Sequence, residues 1–388
     1  MRIAVTGGGT GGHVGPALAT VQAIRDMAVG QSWNPVFLYI GSADGLEHRL
    51  ADEAGLPFQS VATGKMRRAG GGRGALSLQN LADALRVPLG LAQAVAALRK
   101  FRPHVLLATG GYVSVPPALA AAWLRVPVLI HEQTVQVGLA NRIAARVATR
   151  IALSFAGAQD DLPSSARGKA FETGNPVRPI VFAGDRARAV QRFGFTTLDD
   201  ALPCVYVTGG AQGARAINSA LEGILPDLLT RGRVLHQCGP AQAEHFAAVR
   251  EALPPEHRVR CWTAGFVGDE IGDVFALADI VVGRSGAGTV TEAAALGKPA
   301  LFIPLVPTGG DEQTKNARRM AEAGAALLLP GAELTPERLL REICALLDDP
   351  ARRTRMGDAA RQLARPHAAR DLAQATLALA GVELAQEV

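Results

Sequence analysis

The sequence predicts an α/β protein of two Rossmann-like parallel-sheet domains, and three observations carry that prediction. Short β-rich runs alternate with alanine- and leucine-rich helical stretches along the chain. A strand, a glycine-rich loop and a helix open the chain at Arg2 to Gly12, and the same opening recurs at Cys204 to Gly213. At 388 residues the chain is long for one core and ample for two.

In the first half the expected strands are Arg2 to Thr6, Val36 to Ile40, Val105 to Thr109, Val126 to His131 and Ile151 to Ser154. After the restart at Cys204 to Thr208 they are Val234 to Gln237, Arg258 to Trp262, Ile280 to Gly283, Pro299 to Pro304 and Ala326 to Leu329. Two prolines stiffen GNPVRP, Gly174 to Pro179, which marks the boundary between a first domain over residues 1–176 and a second over 177–364. The stretch from about 365 to 388 is helical in composition and able to return to the first domain. Two such domains are expected to face a central cleft between their strand C-terminal edges, where ligands bind in open α/β sheets.

Composition narrows the class. With 48% apolar and 19% charged residues, disorder is excluded and a large core is expected. The net charge of +5 is mild and gives no reason to expect a nucleic-acid partner. Cys204, Cys238, Cys261 and Cys344 are scattered without CxxC or histidine spacing, as in a reduced protein with neither a disulfide frame nor a zinc site. The chain enters a strand at once, which argues against a secretory leader, and no apolar run approaches the roughly 18 residues of a membrane span. Membrane contact is therefore expected to be peripheral. Lys65, Arg67, Arg68 and Arg73 in a glycine-rich stretch, followed by the apolar series Leu76, Leu78, Leu81, Leu85, Val87, Leu89 and Leu91, suit an anionic lipid surface or equally a loop feeding a core helix.

Several stretches could carry chemistry. Six residues from Gly7 to Gly12 include five glycines, so backbone amides can close around an anion at the positive end of the next helix, with His13 at its rim. Gly7, Gly9 and Gly12 also fit the dinucleotide spacing, but the ribose-binding acid expected about 20 residues on is missing, since Asp26 falls too early and Asp44 too late. RSGAGTVTE, Arg284 to Glu292, opens a second anion-facing turn, with Glu292 suited either to vicinal ribose hydroxyls or to a capping box. Gln313 and Asn316 in GGDEQTKNA offer neutral amides to sugar hydroxyls. Gly110 and Gly111 form a third glycine turn, and His131, Glu132 and Gln133 cluster at a strand end, where polar side chains serve binding or structural hydrogen bonds. Together these motifs suggest a nucleotide-sugar donor.

GGTGGHV from Gly8, GGYVS from Gly110, HEQ from His131, GNPVR from Gly174, GGAQGAR from Gly209, RSGAGTVTE from Arg284 and DEQTKNA from Asp311 stand in an order and at distances that resemble the MurG family of bacterial peptidoglycan N-acetylglucosaminyltransferases. The resemblance spans nearly the whole chain. It implies the GT-B fold and an inverting transfer of N-acetylglucosamine from UDP-N-acetylglucosamine to the 4-hydroxyl of the muramoyl sugar of lipid I, giving lipid II, with no cofactor and no bound metal. It also implies peripheral attachment to the anionic cytoplasmic face of the inner membrane, with the first domain facing membrane and acceptor and the second holding the donor.

By the same resemblance Thr10, Gly11 and Gly12 meet the donor phosphates or the reacting sugar, and Arg178 adds positive charge near the uridine or its diphosphate. Ala211, Gln212 and Gly213 form the second-domain loop. The Val267 backbone contacts uracil, Ala287, Gly288 and Thr289 hold sugar and phosphate, Glu292 takes the ribose and Gln313 reads the donor sugar. His13 is the first choice of general base, because a helix N-terminus disfavours the imidazolium; Glu132 is the alternative. Thr134 stands where asparagine is common after HEQ, and Ala211 where serine is common, so Thr134 is the expected contact to a donor-sugar hydroxyl. A related lipid glycosyltransferase and a UDP-sugar 2-epimerase are the alternatives on the same scaffold.

Overall fold

The computed structural model describes residues 1–64, 78–195, 201–305 and 311–382. Lys65, Arg67, Arg68, Arg73 and Leu76 lie outside the described residues, and Leu78, Leu81 and Leu85 are described only as helical backbone. The chain forms two compact units, one of Met1–Arg178 with the segment from Arg365 onward, the other of Pro179–Ala364.

The first unit is a seven-stranded parallel sheet of β1 (Arg2–Thr6), β2 (Val36–Gly41), β3 (Phe58–Ser60), β4 (Val105–Ala108), β5 (Val128–Glu132), β6 (Arg150–Leu153) and β7 (Ala170–Glu172), in the order β3-β2-β1-β4-β5-β6-β7. Parallel neighbours need crossovers, supplied here by α1 (Gly11–Ala28), α2 (Leu46–Glu53), α3 (Leu78–Phe101), α4 (Val115–Trp123), α5 (Leu139–Ala145) and the short α6 (Ser164–Arg167). Helices on both faces explain why Ile3, Ala4 and Val5 of β1 are all fully buried despite pointing alternately up and down.

The second unit begins with α7 (Arg186–Arg192), whose Arg188 and Arg192 pair with the buried Asp273. Its six parallel strands are β8 (Cys204–Thr208), β9 (Arg233–Gln237), β10 (Cys261–Ala264), β11 (Ile280–Gly283), β12 (Ala300–Phe302) and β13 (Ala326–Leu328), in the order β10-β9-β8-β11-β12-β13. They are crossed by α8 (Arg215–Arg231), α9 (Ala243–Glu251), α10 (Pro255–Arg258), α11 (Ile271–Leu277), α12 (Ala287–Ala295) and α13 (Glu312–Glu322), and followed by α14 (Pro336–Leu347) and α15 (Pro350–Leu363). The last helix, α16 (Ala368–Leu379), packs on α1, and its Leu372, Ala373 and Leu377 complete the core that holds Ile3 and Val5.

Each sheet changes winding direction between its first and fourth strands, β1 and β4 in one unit and β8 and β11 in the other. Loops leaving those strand ends splay apart, the place where open α/β sheets bind ligands, and the glycine turns after β1, β4, β8 and β11 lie there. Two outcomes differ from expectation. The edge strands β3 and β7, three residues each, are too short to leave a periodic signal. Arg258, expected in a strand, ends α10 instead, because Pro255 at its first position favours a helical turn and delays β10 to Cys261.

Candidate active site

In the first unit two glycine turns interlock. The Gly8 amide donates to the Gly110 carbonyl at 3.2 Å. Gly111 has φ +81°, and a Cβ there would lie 2.0 Å from the Gly8 oxygen, so only glycine allows the approach. Beneath them the fully buried Glu47 of α2 accepts from the Gly9 amide at 3.2 Å, from the Ser42 amide at 3.1 Å and, in a short bond, from the Ser42 hydroxyl. The Tyr39 hydroxyl donates to the Gly7 carbonyl at 2.6 Å, and burial, with the Glu47 charge second, pushes its phenol well above the usual range.

An internal carboxylate thus braces the loop, and the reading of Gly7 to Gly12 as one anion cradle is corrected accordingly. The Gly9 amide is already satisfied. The open end is the start of α1, where the N-cap Thr10 makes no side-chain cap bond, no acid lies in the first turn, and Gly11 faces solvent. Sequence reasoning overlooked Glu47, looking for an acid at the end of β2; the signal was Ser42 and Gly45 before an acid in the first turn of the next helix.

His13 follows in the same turn of α1, half-buried, with Nδ1 2.9 Å from Gln133 Oε1 and 3.2 Å from the Thr109 carbonyl. Its Nε2 has no partner among the described residues. Gln133 Nε2 faces the Thr109 carbonyl in a short bond, and lies 3.2 Å from the His131 carbonyl and 3.2 Å from His131 Nδ1. His131 is fully buried with Nε2 2.9 Å from the Gly174 carbonyl, and burial pulls its pKa down to about 4.

Glu132 at the end of β5 is also buried, and both its oxygens are taken. One accepts from the Thr134 amide at 3.1 Å and the Thr134 hydroxyl at 3.0 Å; the other accepts from the Gly138 amide at 3.0 Å and Asn141 Nδ2 at 2.9 Å. These four hydrogen bonds tie Glu132 to the loop from Thr134 to Asn141. The Thr134 hydroxyl also lies 2.6 Å from the Gln136 carbonyl, so its proton stays within the loop. Arg178 stands half-buried at the end of this unit.

In the second unit the loop after β8 is held by neutral groups. The Gly210 amide donates to Thr208 Oγ1 at 3.0 Å, and Gln237 bridges two loops, its Nε2 donating to the Gly210 carbonyl at 2.8 Å while its Oε1 accepts from the Val267 amide at 3.1 Å. Val267 therefore keeps only its carbonyl for a ligand. Gly213 has φ +75° and packs against the Cys238 carbonyl, which a Cβ would approach to 2.1 Å, while Gln212 is exposed and Ala211 half-buried. α8 starts with no side-chain cap and no acid in its first turn.

The turn after β11 leads directly into a helix. α12 starts at Ala287 after Gly286, again with no side-chain cap and no acid in the first turn. Glu292 lies beyond that turn, so the capping-box alternative does not hold. Ala287, Gly288, Thr289 and Glu292 are half-buried on this helix. Ser285 is fully buried and donates to the Gln313 carbonyl at 2.7 Å, while Gln313 Oε1 accepts from the Leu305 amide at 3.0 Å, which leaves the Gln313 amide nitrogen to donate. Asn316, expected to face sugar hydroxyls, is buried and donates to the Ser285 carbonyl at 3.1 Å. A cavity of about 360 Å³ lies beside these loops, lined in part by Ala214, Ile217, Arg284 and Leu305. Burial lowers the pKa of Arg284, whose guanidinium was given no role from sequence.

The profile of the glycosyltransferase family 28 N-terminal domain matches residues 3–153, and that of the family 28 C-terminal domain matches residues 204–374. The UDP-N-acetylglucosamine–N-acetylmuramyl-(pentapeptide) pyrophosphoryl-undecaprenol N-acetylglucosamine transferase of Nitrosococcus oceani is 39% identical over 388 residues, covering 98% of this chain and 99% of that protein. The crystal structure of Acinetobacter baumannii MurG aligns with a TM-score of 0.69 at 26% identity, covering 97% of this chain and 99% of that one. A UDP-GlcNAc 2-epimerase from Neisseria meningitidis, bound to UDP-GlcNAc, aligns with a TM-score of 0.67 at 15% identity over 97% of this chain and 100% of that one. At that identity the likeness speaks to the fold alone.

Proposed function

The chain belongs to the MurG family within glycosyltransferase family 28, and from that premise we propose that it moves N-acetylglucosamine from UDP-N-acetylglucosamine to the muramoyl 4-hydroxyl of lipid I, giving lipid II. The observation that carries this reading is His13 at the uncapped, acid-free start of α1, with Nδ1 held by two acceptors and Nε2 free.

The acceptor oxygen attacks the anomeric carbon as the bond to the diphosphate oxygen breaks, and the hydroxyl proton passes to His13 Nε2. The Nδ1–H remains bonded to Gln133 and to the Thr109 carbonyl, which disperse the charge the ring gains. Glu132, with four donors upon it, braces the loop through Asn141 and Gly138 and is the weaker candidate for the base. UDP leaves with charge on its diphosphate. Peptide amides at the starts of α8 and α12, the Thr289 hydroxyl, and the guanidinium groups of Arg178 and Arg284 suit that charge, as do the Gly11 and Gly12 amides of α1.

In the donor, Glu292 accepts from the ribose hydroxyls, the Val267 carbonyl accepts from uracil N3–H, and the Gln313 amide donates to the sugar. Thr134 contributes a lone pair, its proton being engaged within its own loop. Ala211, Gln212 and Gly213 give the diphosphate a backbone-lined edge.

An anionic membrane surface on the cytoplasmic face fits the first unit. Val87 and Leu89 on α3 and Trp123 at the end of α4 are 39%, 53% and 66% exposed, and the Arg99 guanidinium lies 5.4 Å over the Trp123 ring. Aromatic and basic side chains together suit the headgroup layer. Among the described residues no helix is long and apolar enough to cross a membrane.

Incubation with labelled UDP-N-acetylglucosamine, with and without a lipid I analogue, tests the reading. Label is expected in the lipid only when the acceptor is present. Release of free 2-epimer without acceptor would replace the transferase by the isomerase.

A further inference from the structure

A neutral imidazole has two forms, and only the one protonated at Nδ1 has a lone pair at the nitrogen His13 leaves free. In water the other form, protonated at Nε2, prevails for histidine side chains. We propose that Gln133 is a positioning residue that selects the Nδ1–H form of His13, and that His131 in turn fixes the amide of Gln133. This deepens the base role proposed above and rests on it for its catalytic meaning, though not for its structural content.

Main-chain carbonyls can only accept. The atom of the Gln133 amide that faces the Thr109 and His131 carbonyls must donate, so it is the nitrogen. The oxygen is then the atom 2.9 Å from His13 Nδ1, and an amide oxygen only accepts. The same ring nitrogen lies 3.2 Å from the Thr109 carbonyl, a second pure acceptor. Two acceptors around one nitrogen require a proton there.

His131 closes the chain at its far end. Its Nε2 faces the Gly174 carbonyl at 2.9 Å and so carries the proton, which leaves Nδ1 as an acceptor 3.2 Å from the Gln133 nitrogen. Burial lowers the basicity of this ring, so it stays in that neutral form at neutral pH. The amide of Gln133 is only 1% exposed and has no room to exchange its ends for solvent partners. Reversing it would set its oxygen against two carbonyl oxygens, and its nitrogen against whatever proton Nδ1 carries.

The assignment also explains why three consecutive polar residues end a buried strand. His131 orients Gln133, Gln133 orients His13, and Glu132 between them faces the other way to hold the Thr134 to Asn141 loop. The same bonds persist when His13 takes a proton, because Nδ1 remains the donor on both sides of the transfer. Gln133 and His131 touch the base and not the substrate, so they act through His13.

Nitrogen-15 NMR of histidine-labelled full-length protein tests this without substrate, with His13→Gln used to assign the His13 ring. At a pH where the ring is neutral, the proton is expected on Nδ1, with Nε2 showing the shift of an unprotonated nitrogen. A proton on Nε2 in the native protein overturns the proposal outright. Gln133→Met, similar in length but unable to accept strongly or donate, is expected to move the ring toward Nε2–H and to lower kcat by roughly 100-fold with the donor KM within about twofold. Gln133→Glu keeps an acceptor oxygen toward His13 and is expected to keep the Nδ1–H form. A Met variant that folds, as judged by its melting transition, and retains both the native ring form and native kcat overturns the positioning role. A native Nδ1–H ring in a protein that transfers no sugar would instead condemn the proposed function and leave this assignment standing.

Discussion

The two glycine loops that follow β1 and β8 begin alike and are braced in opposite ways. Both leave the first strand of a sheet with the same local order, and both lead into a long helix with no acid in its first turn. Under the first lies a fully buried carboxylate, Glu47, which takes the Gly9 amide; beside the second lies an uncharged amide, Gln237, which ties Gly210 to Val267. A carboxylate buried against a loop rigidifies what it holds, and a neutral brace ties its loop without adding charge beside the helix start. On the proposed reading the first loop presents His13 as a fixed proton acceptor beside the Gly11 and Gly12 amides, and the second loop lies along the diphosphate.

This contrast can be broken most severely at His13. His13→Ala is expected to lower kcat by roughly 10²- to 10⁴-fold while the donor KM changes little, because a base acts on the transition state more than on binding. Steady-state kinetics at varied UDP-N-acetylglucosamine measures both, and an unchanged kcat would remove the first loop from the chemistry.

Acid should act on both units through their buried histidines. Burial lowers His131 to about 4 and His236 to about 3, below the ordinary histidine value of 6.5. The unfolded chain therefore binds protons that the folded chain refuses. Stability is full above about pH 6.5, falls as pH drops through the unfolded value toward the folded ones, and levels off below them. The His131 contribution is on the order of 3 kcal/mol. Denaturant titrations between pH 7 and pH 4 measure the slope, and a flat profile would mean that neither ring is held neutral.

The braces themselves give a sharper comparison. Glu47→Ala strands the Gly9 and Ser42 donors and is expected to destabilise the protein by about 2 to 3 kcal/mol, with kcat falling and donor KM nearly unchanged. Gln237→Ala, in contrast, is expected to raise the donor KM several-fold with a smaller loss of stability. If the two variants share one kinetic signature, the division of labour between the loops is wrong. The smallest effect concerns the ribose. Glu292→Gln keeps the shape and loses the charge, and calorimetric titration with UDP is expected to show affinity reduced by roughly 10-fold with the fold unchanged.

Much of this was legible in the residues. Apolar runs before each glycine cluster located β1, β8 and β11 at their observed bounds, because a strand buried on both faces needs continuous Val, Ile and Ala whatever its neighbours are. The clustering of His131, Glu132 and Gln133 at a strand end marked a corner that the structure fills with hydrogen bonds. Their separate tasks were not legible, since HEQ reads the same whether its glutamate accepts a substrate proton or four internal hydrogen bonds. Glu47 escaped notice for a similar reason: one acid on a short helix becomes special only when the loop of β1 is laid upon it. Likewise Thr134 reads as a free hydroxyl until Gln136 and Glu132 are seen to share its proton.

By itself the sequence determined the two parallel sheets, the strand ends at which glycine turns gather, and the family to which the ordered motifs point. Those properties depend on periodicity and local spacing, which a linear chain records. Tertiary structure alone decided which amides are consumed internally, which carboxylates accept hydrogen bonds from their own loops, and which nitrogen of His13 has no partner among the described residues. Each of these turns on partners dozens of residues away in sequence, and a hydrogen bond between neighbours in space depends on distances and directions that only the folded chain defines.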